Sequence, residues 1–258
     1  MKLSEILALS CCAVLCVSCS VKEDRGLCPC RLVLDMSDVD TSVVKYAELV
    51  VGASGGFHFR DTLVVEDFMN GCVVEVPRGG VGVGLYYGAE GCVDDRGGLG
   101  IAYGTECPQV YMHSSTFDAQ GEIVVEEVQM KKSHCIMTIQ VEAEKEFPFR
   151  LDARGRVDGY ELGGSPSVGE FMYAMYVNEE GICSLTLPRQ SDDSLILEIS
   201  DGTGVLKCFA LGEYIAASGY DWRDDDLKDI MVTLDYSLTR IKISVEGWRQ
   251  EYFFDVVI

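Results

Sequence analysis

Apolar and polar residues alternate with a period of two along most of the chain. Arg31-Leu32-Val33-Leu34-Asp35-Met36, Cys135-Ile136-Met137-Thr138-Ile139-Gln140-Val141, Leu195-Ile196-Leu197-Glu198-Ile199 and Ile241-Lys242-Ile243-Ser244-Val245-Glu246 each place apolar side chains on one face of an extended segment. Segments of this length, separated by Gly, Asp and Asn turn signals, predict the half-buried strands of antiparallel β-sandwiches. No stretch beyond the N-terminus sustains a 3.6-residue period, so helix is expected only in short connectors, one of them over Asp225 to Met231. The fold class is mainly β.

Met130-Lys131-Lys132-Ser133 is a short basic break in an otherwise acidic chain. It separates a Gly-rich, strand-rich block at 28–130 from a second strand block at 131–258. A sandwich takes about 100 residues and seven strands, so a chain of 258 residues suits two sandwiches in tandem. No internal repeat is visible in the sequence.

The N-terminus follows another pattern. Lys2 precedes a largely apolar run from Ile6 to Val17, which is too short to span a bilayer and suits the apolar region of a signal peptide. The run ends at Cys16-Val17-Ser18-Cys19, and the polar stretch Ser20 to Gly26 follows at once. A small residue followed by Cys after such a run resembles the lipobox of bacterial lipoproteins, with Cys16 standing where Leu is usual. Cys11 also follows a small residue, Ser10, but would leave too short an apolar region. The expectation is a lipoprotein signal peptide at 1–18, a diacylglycerol on the thiol of Cys19, and a tether at 19–27. Each buried acyl methylene contributes about 0.8 kcal/mol, so two or three chains hold a protein on a membrane. The competing reading is an ordinary signal peptide or a buried N-terminal helix.

Charge narrows the function. With 21 Lys and Arg against 42 Asp and Glu, the formal net charge is −21, which disfavours a nucleic-acid partner because binding there rests on phosphate neutralisation. Only His58, His113 and His134 are present, without clustering, so a His-rich metal site or a His-dependent nucleophile has little support. Of the twelve cysteines, Cys28, Cys30, Cys72, Cys92, Cys107, Cys135, Cys183 and Cys208 remain after the leader and Cys19. Cys28-Pro29-Cys30 is neither the CxxC of redox motifs nor half of a zinc ribbon. The body cysteines read as mostly buried thiols, with Cys135 a small core hydrophobe and room for one or two bridges.

Two conspicuous segments carry no chemistry by spacing. Residues 79–104 contain ten glycines, but neither GxxxxGK[ST] nor a GxGxxG that opens a helix, so the glycines are read as permitting bulges, turns and close backbone approach in an irregular sheet. Asp221 to Asp229 carries five carboxylates without the spacing of a calcium loop, and is read as a solvated loop with an acidic helix start. No GxSxG elbow is present and no carboxylate pair stands out. No catalytic residue, metal site or cofactor is assigned.

Several separate blocks, in order, carry a family resemblance. They are Cys19…Glu23-Asp24-Arg25…Cys28-Pro29-Cys30, the strand ending in Asp35-Met36-Ser37, Phe147-Pro148-Phe149-Arg150, Gly159-Tyr160 and Gly169-Glu170-Phe171. Leu187-Pro188-Arg189-Gln190, Leu211-Gly212-Glu213-Tyr214-Ile215 and Ser218-Gly219-Tyr220-Asp221-Trp222 complete them. Together they resemble the FimB-type fimbrial anchor lipoproteins of Bacteroides-group bacteria; the 79–104 region matches no signature of that family. The resemblance implies an outer-membrane lipoprotein of two tandem transthyretin-like β-sandwich domains, at the base of a fimbrium, anchoring the filament and limiting its length. Its implied partners are fimbrillin stalk subunits, which polymerise by strand exchange after arginine-specific cleavage. Arg25 lies six residues past Cys19, and cleavage there would release the body from its lipid, so Arg25 is expected to stay uncut.

The apolar C-terminal stretch Tyr252, Phe253, Phe254, Asp255, Val256, Val257 and Ile258 is a candidate strand-exchange segment, or else the last strand of the second sandwich. The alternative function is a surface lipoprotein that binds glycan or another host ligand through sandwich loops, using Trp222, Trp248, Tyr86 and Tyr87 as stacking groups.

Overall fold

The computed structural model describes residues 28–142, 147–235, 240–247 and 249–255. Strands β1 (Cys30–Asp35), β2 (Tyr46–Ala53), β3 (Phe57–Val64), β4 (Cys72–Val76), β5 (Gly80–Tyr87), β6 (Leu99–Gly100), β7 (Tyr111–Asp118), β8 (Ile123–Glu127) and β9 (Lys131–Lys132) make up the first half. The second half contains β10 (His134–Glu142), β11 (Arg150–Tyr160), β12 (Pro166–Tyr176), β13 (Ile182–Pro188), β14 (Ile196–Asp201), β15 (Gly204–Phe209), β16 (Ile230–Asp235), β17 (Arg240–Val245) and β18 (Glu251–Asp255). The four segments with the clearest alternation fall on β1, β10, β14 and β17.

Among the described residues helix is confined to α1 (Val65–Asn70) and α2 (Leu211–Ala217), beside a 3-10 turn at Ser54–Gly56. The helix expected over Asp225 to Met231 is absent: this segment is irregular and Ile230 already opens β16. Its polar groups are used elsewhere. Asp229 Oδ1 accepts from Lys132 Nζ at 2.7 Å and from the Ile136 N–H at 2.8 Å. Asp226 Oδ1 accepts the Lys132 N–H at 2.8 Å, Lys131 Nζ donates to Asp225 at 2.6 Å, and the Leu227 N–H donates to the Lys132 carbonyl. Aspartates that bond outward in this way compete with a helical ladder. Three of the five carboxylates, Asp225, Asp226 and Asp229, therefore clasp the basic break, while Asp221 pairs with Arg223.

The strands form four sheets, ordered β4-β1-β8, β3-β2-β5-β7-β9, β13-β10-β16-β17-β18 and β12-β11-β14-β15, with β6 added to β11. Each half repeats one topology. Numbered within its half, with the two-residue β6 left out of the count, the first strand lies between the fourth and seventh, and the second lies between the third and fifth, with the sixth beyond the fifth. The first and seventh strands run parallel in both halves, β1 with β8 and β10 with β16, while the other ladders are antiparallel. This duplication of topology is absent from the sequence pattern. Two features distinguish the halves: β9 extends the β7 edge, and the β17–β18 hairpin extends the β16 edge.

Two hydrophobic clusters hold the sheets. One lies between the sheets of the first half and includes Leu32, Leu34, Leu49, Val51, Val74, Val81, Val83 and Leu85. The other fills the second half and extends into the first through Val50, Tyr86, Leu99, Ile101, Val110 and Met112. The five-stranded sheet of the first half is thus apolar on both faces, with Val81, Val83 and Leu85 on one and Tyr86 on the other.

The glycines of β5 acquire a specific role there. Far from being irregular, β5 pairs residue by residue with β2 and β7. A Cβ on Gly52 or Gly82 would lie 3.0 Å from the Leu162 side chain, and one on Gly97 would lie 2.8 Å from it. Leu162 sits in the turn between β11 and β12, so that hairpin lies on a surface cleared of side chains. The close backbone approach read from the sequence is the approach of one half to the other.

Candidate interaction edges

No bound group marks a site, so the candidates are the sheet edges and the terminal strand. Cys19 and Arg25 lie outside the described residues, as do Val256, Val257, Ile258 and Trp248. Tyr252, Phe253 and Phe254 lie on β18, which pairs antiparallel with β17 through Ile241↔Phe254, Lys242↔Phe253 and Ile243↔Tyr252. Alternation splits this strand. Phe254 turns inward against Tyr214 of α2, with ring centroids 5.0 Å apart, whereas Phe253 is 72% exposed. The far edge of β18 has no paired strand among the described residues. β18 is thus the last strand of its sheet and also an open edge with an exposed aromatic ring.

The opposite candidate is β8, the outer strand of β4-β1-β8. The Arg31 N–H donates to the Glu122 carbonyl and the Val128 N–H donates to the Asp35 carbonyl. In a parallel ladder with this register, Val124 and Glu126 face β1, while the backbone groups of Ile123, Val125 and Glu127 face outward. Sequence reading missed this edge, because the Ile123-Val124-Val125 run does not show which side of the strand is paired.

The aromatic groups offered for glycan stacking are placed differently. Tyr86 is buried, and its hydroxyl donates to the Gly97 carbonyl at 2.6 Å. Its pKa is raised, first by burial and then by the nearby Asp94 and Glu48 carboxylates. Tyr87 stacks edge-on against Tyr46, and Trp222 against Tyr220. These rings serve packing. A separate cleft of about 450 Å³ is lined by Phe147, Phe149, Arg150, Tyr176 and Asp201.

The thiols are unpaired throughout the body, with Cys30, Cys107, Cys135 and Cys183 buried. Burial pushes the Cys135 thiol up to about 12 and the Cys183 thiol to about 11. Cys135 is the small core hydrophobe the sequence suggested. Among the described residues no cluster of three His, Cys, Asp or Glu side chains is poised for a metal, and no helix is long and apolar enough to cross a membrane.

Two histidines are set for a pH response. His113 Nε2 lies 3.1 Å from Glu126, and Nδ1 accepts the Gln129 N–H at 3.2 Å, so the neutral ring carries its proton on Nε2. Buried His134 donates from Nδ1 to the Val110 carbonyl. Burial is the largest effect on both and lowers both pKa values, although Glu126 opposes it at His113. A depressed folded-state pKa means the unfolded chain takes up the proton first. Stability should therefore be full above about pH 6.5, the ordinary His value, and fall as acidification proceeds below it. Melting temperature measured from pH 7.5 to 5 should decline, and His113→Gln should flatten the decline; an unchanged slope would remove His113 from this role.

No family model and no curated protein matches the chain. Solved structures do. A provisionally assigned polysaccharide-binding protein (DUF1812) from Bacteroides thetaiotaomicron superimposes with a TM-score of 0.61 at 14% identity, covering 88% of this chain and 98% of that one. The fimbrial anchor protein Mfa2 from Porphyromonas gingivalis superimposes with a TM-score of 0.58 at 11% identity, covering 86% and 98%. The chain has their fold. It is mainly β, built of several mostly antiparallel sheets, and it is the architecture of the family that the sequence blocks resemble. The likeness extends over 86–88% of this chain and 98% of those chains, so it takes in strands of both halves.

Proposed function

We propose that this protein is a fimbrial anchor or assembly subunit, held on the outer membrane by lipid on Cys19. It attaches the fimbrium to the cell and limits filament length. The observation that carries this reading is the shared fold with the fimbrial anchor protein of Porphyromonas gingivalis, across 98% of that chain. The leader at 1–18 directs export, the lipidated Cys19 with residues 19–27 supplies the tether, and the interlocked halves 28–130 and 131–258 supply two sandwich domains. Its partners are fimbrillin stalk subunits. Tyr252, Phe253 and Phe254, continuing into Val256, Val257 and Ile258, are the segment that meets the stalk, since β18 already lies at an open edge. Arg25 stays uncut, because cleavage there would free the body from the membrane.

Cys19→Ala tests the reading. Fractionation should find the variant out of the outer membrane, and electron microscopy should find long fimbriae shed into the medium. Release of the protein with surface filaments unchanged would keep the lipid and reject the anchor. In that case the cleft at Phe147, Phe149 and Tyr176 favours the second reading, a lipoprotein that binds glycan.

A further inference from the structure

The loop between β5 and β7 begins and ends close together and carries a cysteine near each end. Tyr87 pairs with Tyr111, and a Cβ on Gly88 would lie 2.5 Å from the Gln109 carbonyl oxygen. The chain then turns, with the Cys92 N–H donating to the Ala89 carbonyl at 2.9 Å, while Cys107 lies two residues before Gln109. Cys107 is buried in the second-half cluster, and half-buried Cys92 packs against the same cluster. Burial is the main reason the Cys107 thiol pKa is raised, and the Cys92 thiol raises it further, ahead of the adjacent Glu106.

The other described thiols are held apart by the ladders. A disulfide needs Cα atoms within about 7 Å of each other. Cys30 pairs with Val76 and Cys72 with Leu34, so these two stand four positions apart on neighbouring strands, roughly 13 Å. Cys135, opposite Leu187, and Cys183, opposite Ile139, are separated in the same way. The Thr186 N–H donates to Glu106 Oε1 and the Thr186 carbonyl accepts the Cys107 N–H, so Cys107 flanks β13 on the side away from β10. Cys135 is then about two strand spacings from Cys107, roughly 10 Å, and Cys183 lies a similar distance along β13. Cys28 and Cys208 are exposed and outside the cluster. Cys92 is the partner that remains for Cys107.

We propose that Cys92 and Cys107 are a redox pair, joined on oxidation by a disulfide that closes the loop 92–107 at the junction of the two halves. The oxidant is an organic disulfide. The more exposed Cys92, as thiolate, attacks one of its sulfurs and expels a thiolate. Cys107 then attacks the Cys92 sulfur and expels the second. The two cysteines lose two electrons and two protons, and the oxidant leaves as two thiols. Because burial keeps Cys107 protonated, the second step takes place while the loop folds, before that thiol is enclosed. The closed loop contains β6, which pairs with β11, and Gly97, which lies against Leu162 and whose carbonyl accepts the Tyr86 hydroxyl. The bridge thus fastens the segment through which the halves meet, and it stands whether or not the chain anchors a fimbrium.

The test refolds the full-length protein from denaturant in a mixture of reduced and oxidised glutathione, then alkylates free thiols and digests without reduction. Peptide mass mapping should find the Cys92 and Cys107 segments linked, lighter by two hydrogens than the sum of the free peptides. Reducing the folded product should lower its melting temperature by about 6–12 °C, the effect of opening a loop of about fifteen residues in a chain of this size. Cys92→Ala should show no such shift. Both thiols alkylated in the refolded protein would overturn the proposal. So would glutathione retained on Cys92, a link from either cysteine to a different one, or an equal effect of reductant on Cys92→Ala.

Discussion

Gly159→Ala is expected to destabilise the protein by about 2–5 kcal/mol, which lowers the melting temperature by roughly 10 °C for a chain of this size. Gly159 lies near the end of β11, opposite Gly100 of β6, after two register shifts in the β11–β12 ladder. Its φ is 151°, and a Cβ there would fall on the Leu99 carbonyl oxygen, far inside contact distance. The atoms it would meet belong to the Leu99 backbone, so no side chain can rotate away. A strained positive φ costs roughly 1–2 kcal/mol, and a packing clash adds about 1–3. The damage falls on the junction of the halves, because the β6–β11 ladder and the bond from the Ile101 N–H to the Asp158 carbonyl must give way. Gly100→Ala is the control: a Cβ at Gly100 meets nothing within 4 Å, so its effect should stay within about 0.5 kcal/mol. Equal melting temperatures for the two variants would show that β6 yields freely.

The parts of this architecture legible in the sequence are those in which one face of a strand meets a core. β1, β10, β14 and β17 alternate cleanly because their outer faces are wet or lightly covered. β5 was harder, because its second face meets the other half. There the packing partner is Leu162, some eighty positions further on, and the local signal is missing side chains rather than apolar ones. The duplicated topology left no trace for a related reason. Equivalent strands share only alternation, and their connections differ, with α1 following the third strand of one half and α2 the sixth of the other. The acidic stretch from Asp221 has the composition of a helix start, but long-range bonds to Lys131, Lys132 and Ile136 decide its conformation. Open edges are the least legible, since whether a strand is paired on one side or two is a property of its neighbours. The strand at β18 is legible from its own residues, but that β8 and β18 are open on one side follows only from the sheets.

These contacts bear on how an anchor would carry load. In the proposed anchor a lipid on Cys19 would pull on the first half and a filament held at β18 on the second, so tension would cross their junction. Tyr160 sits at that crossing. Its buried hydroxyl donates to the Ser133 carbonyl, at the start of the second half, and accepts the Arg189 N–H at 2.7 Å. The Arg189 guanidinium in turn donates to the carbonyls of Trp222 and Asp224, in the loop that clasps Lys131 and Lys132. Burial is the main reason the phenol pKa is raised, so the hydroxyl keeps its proton and its donor role across the physiological range. Tyr160→Phe preserves the ring and strands two backbone groups away from water, at about 1–3 kcal/mol for each left unpaired. The expected loss is about 2–6 kcal/mol in thermal or denaturant unfolding, with faster amide exchange at Arg189. A loss below about 0.5 kcal/mol with unchanged exchange at Arg189 would mean that water replaces the hydroxyl, and that the junction rests on the aspartate clasp, the β6–β11 ladder and the packing of Leu162.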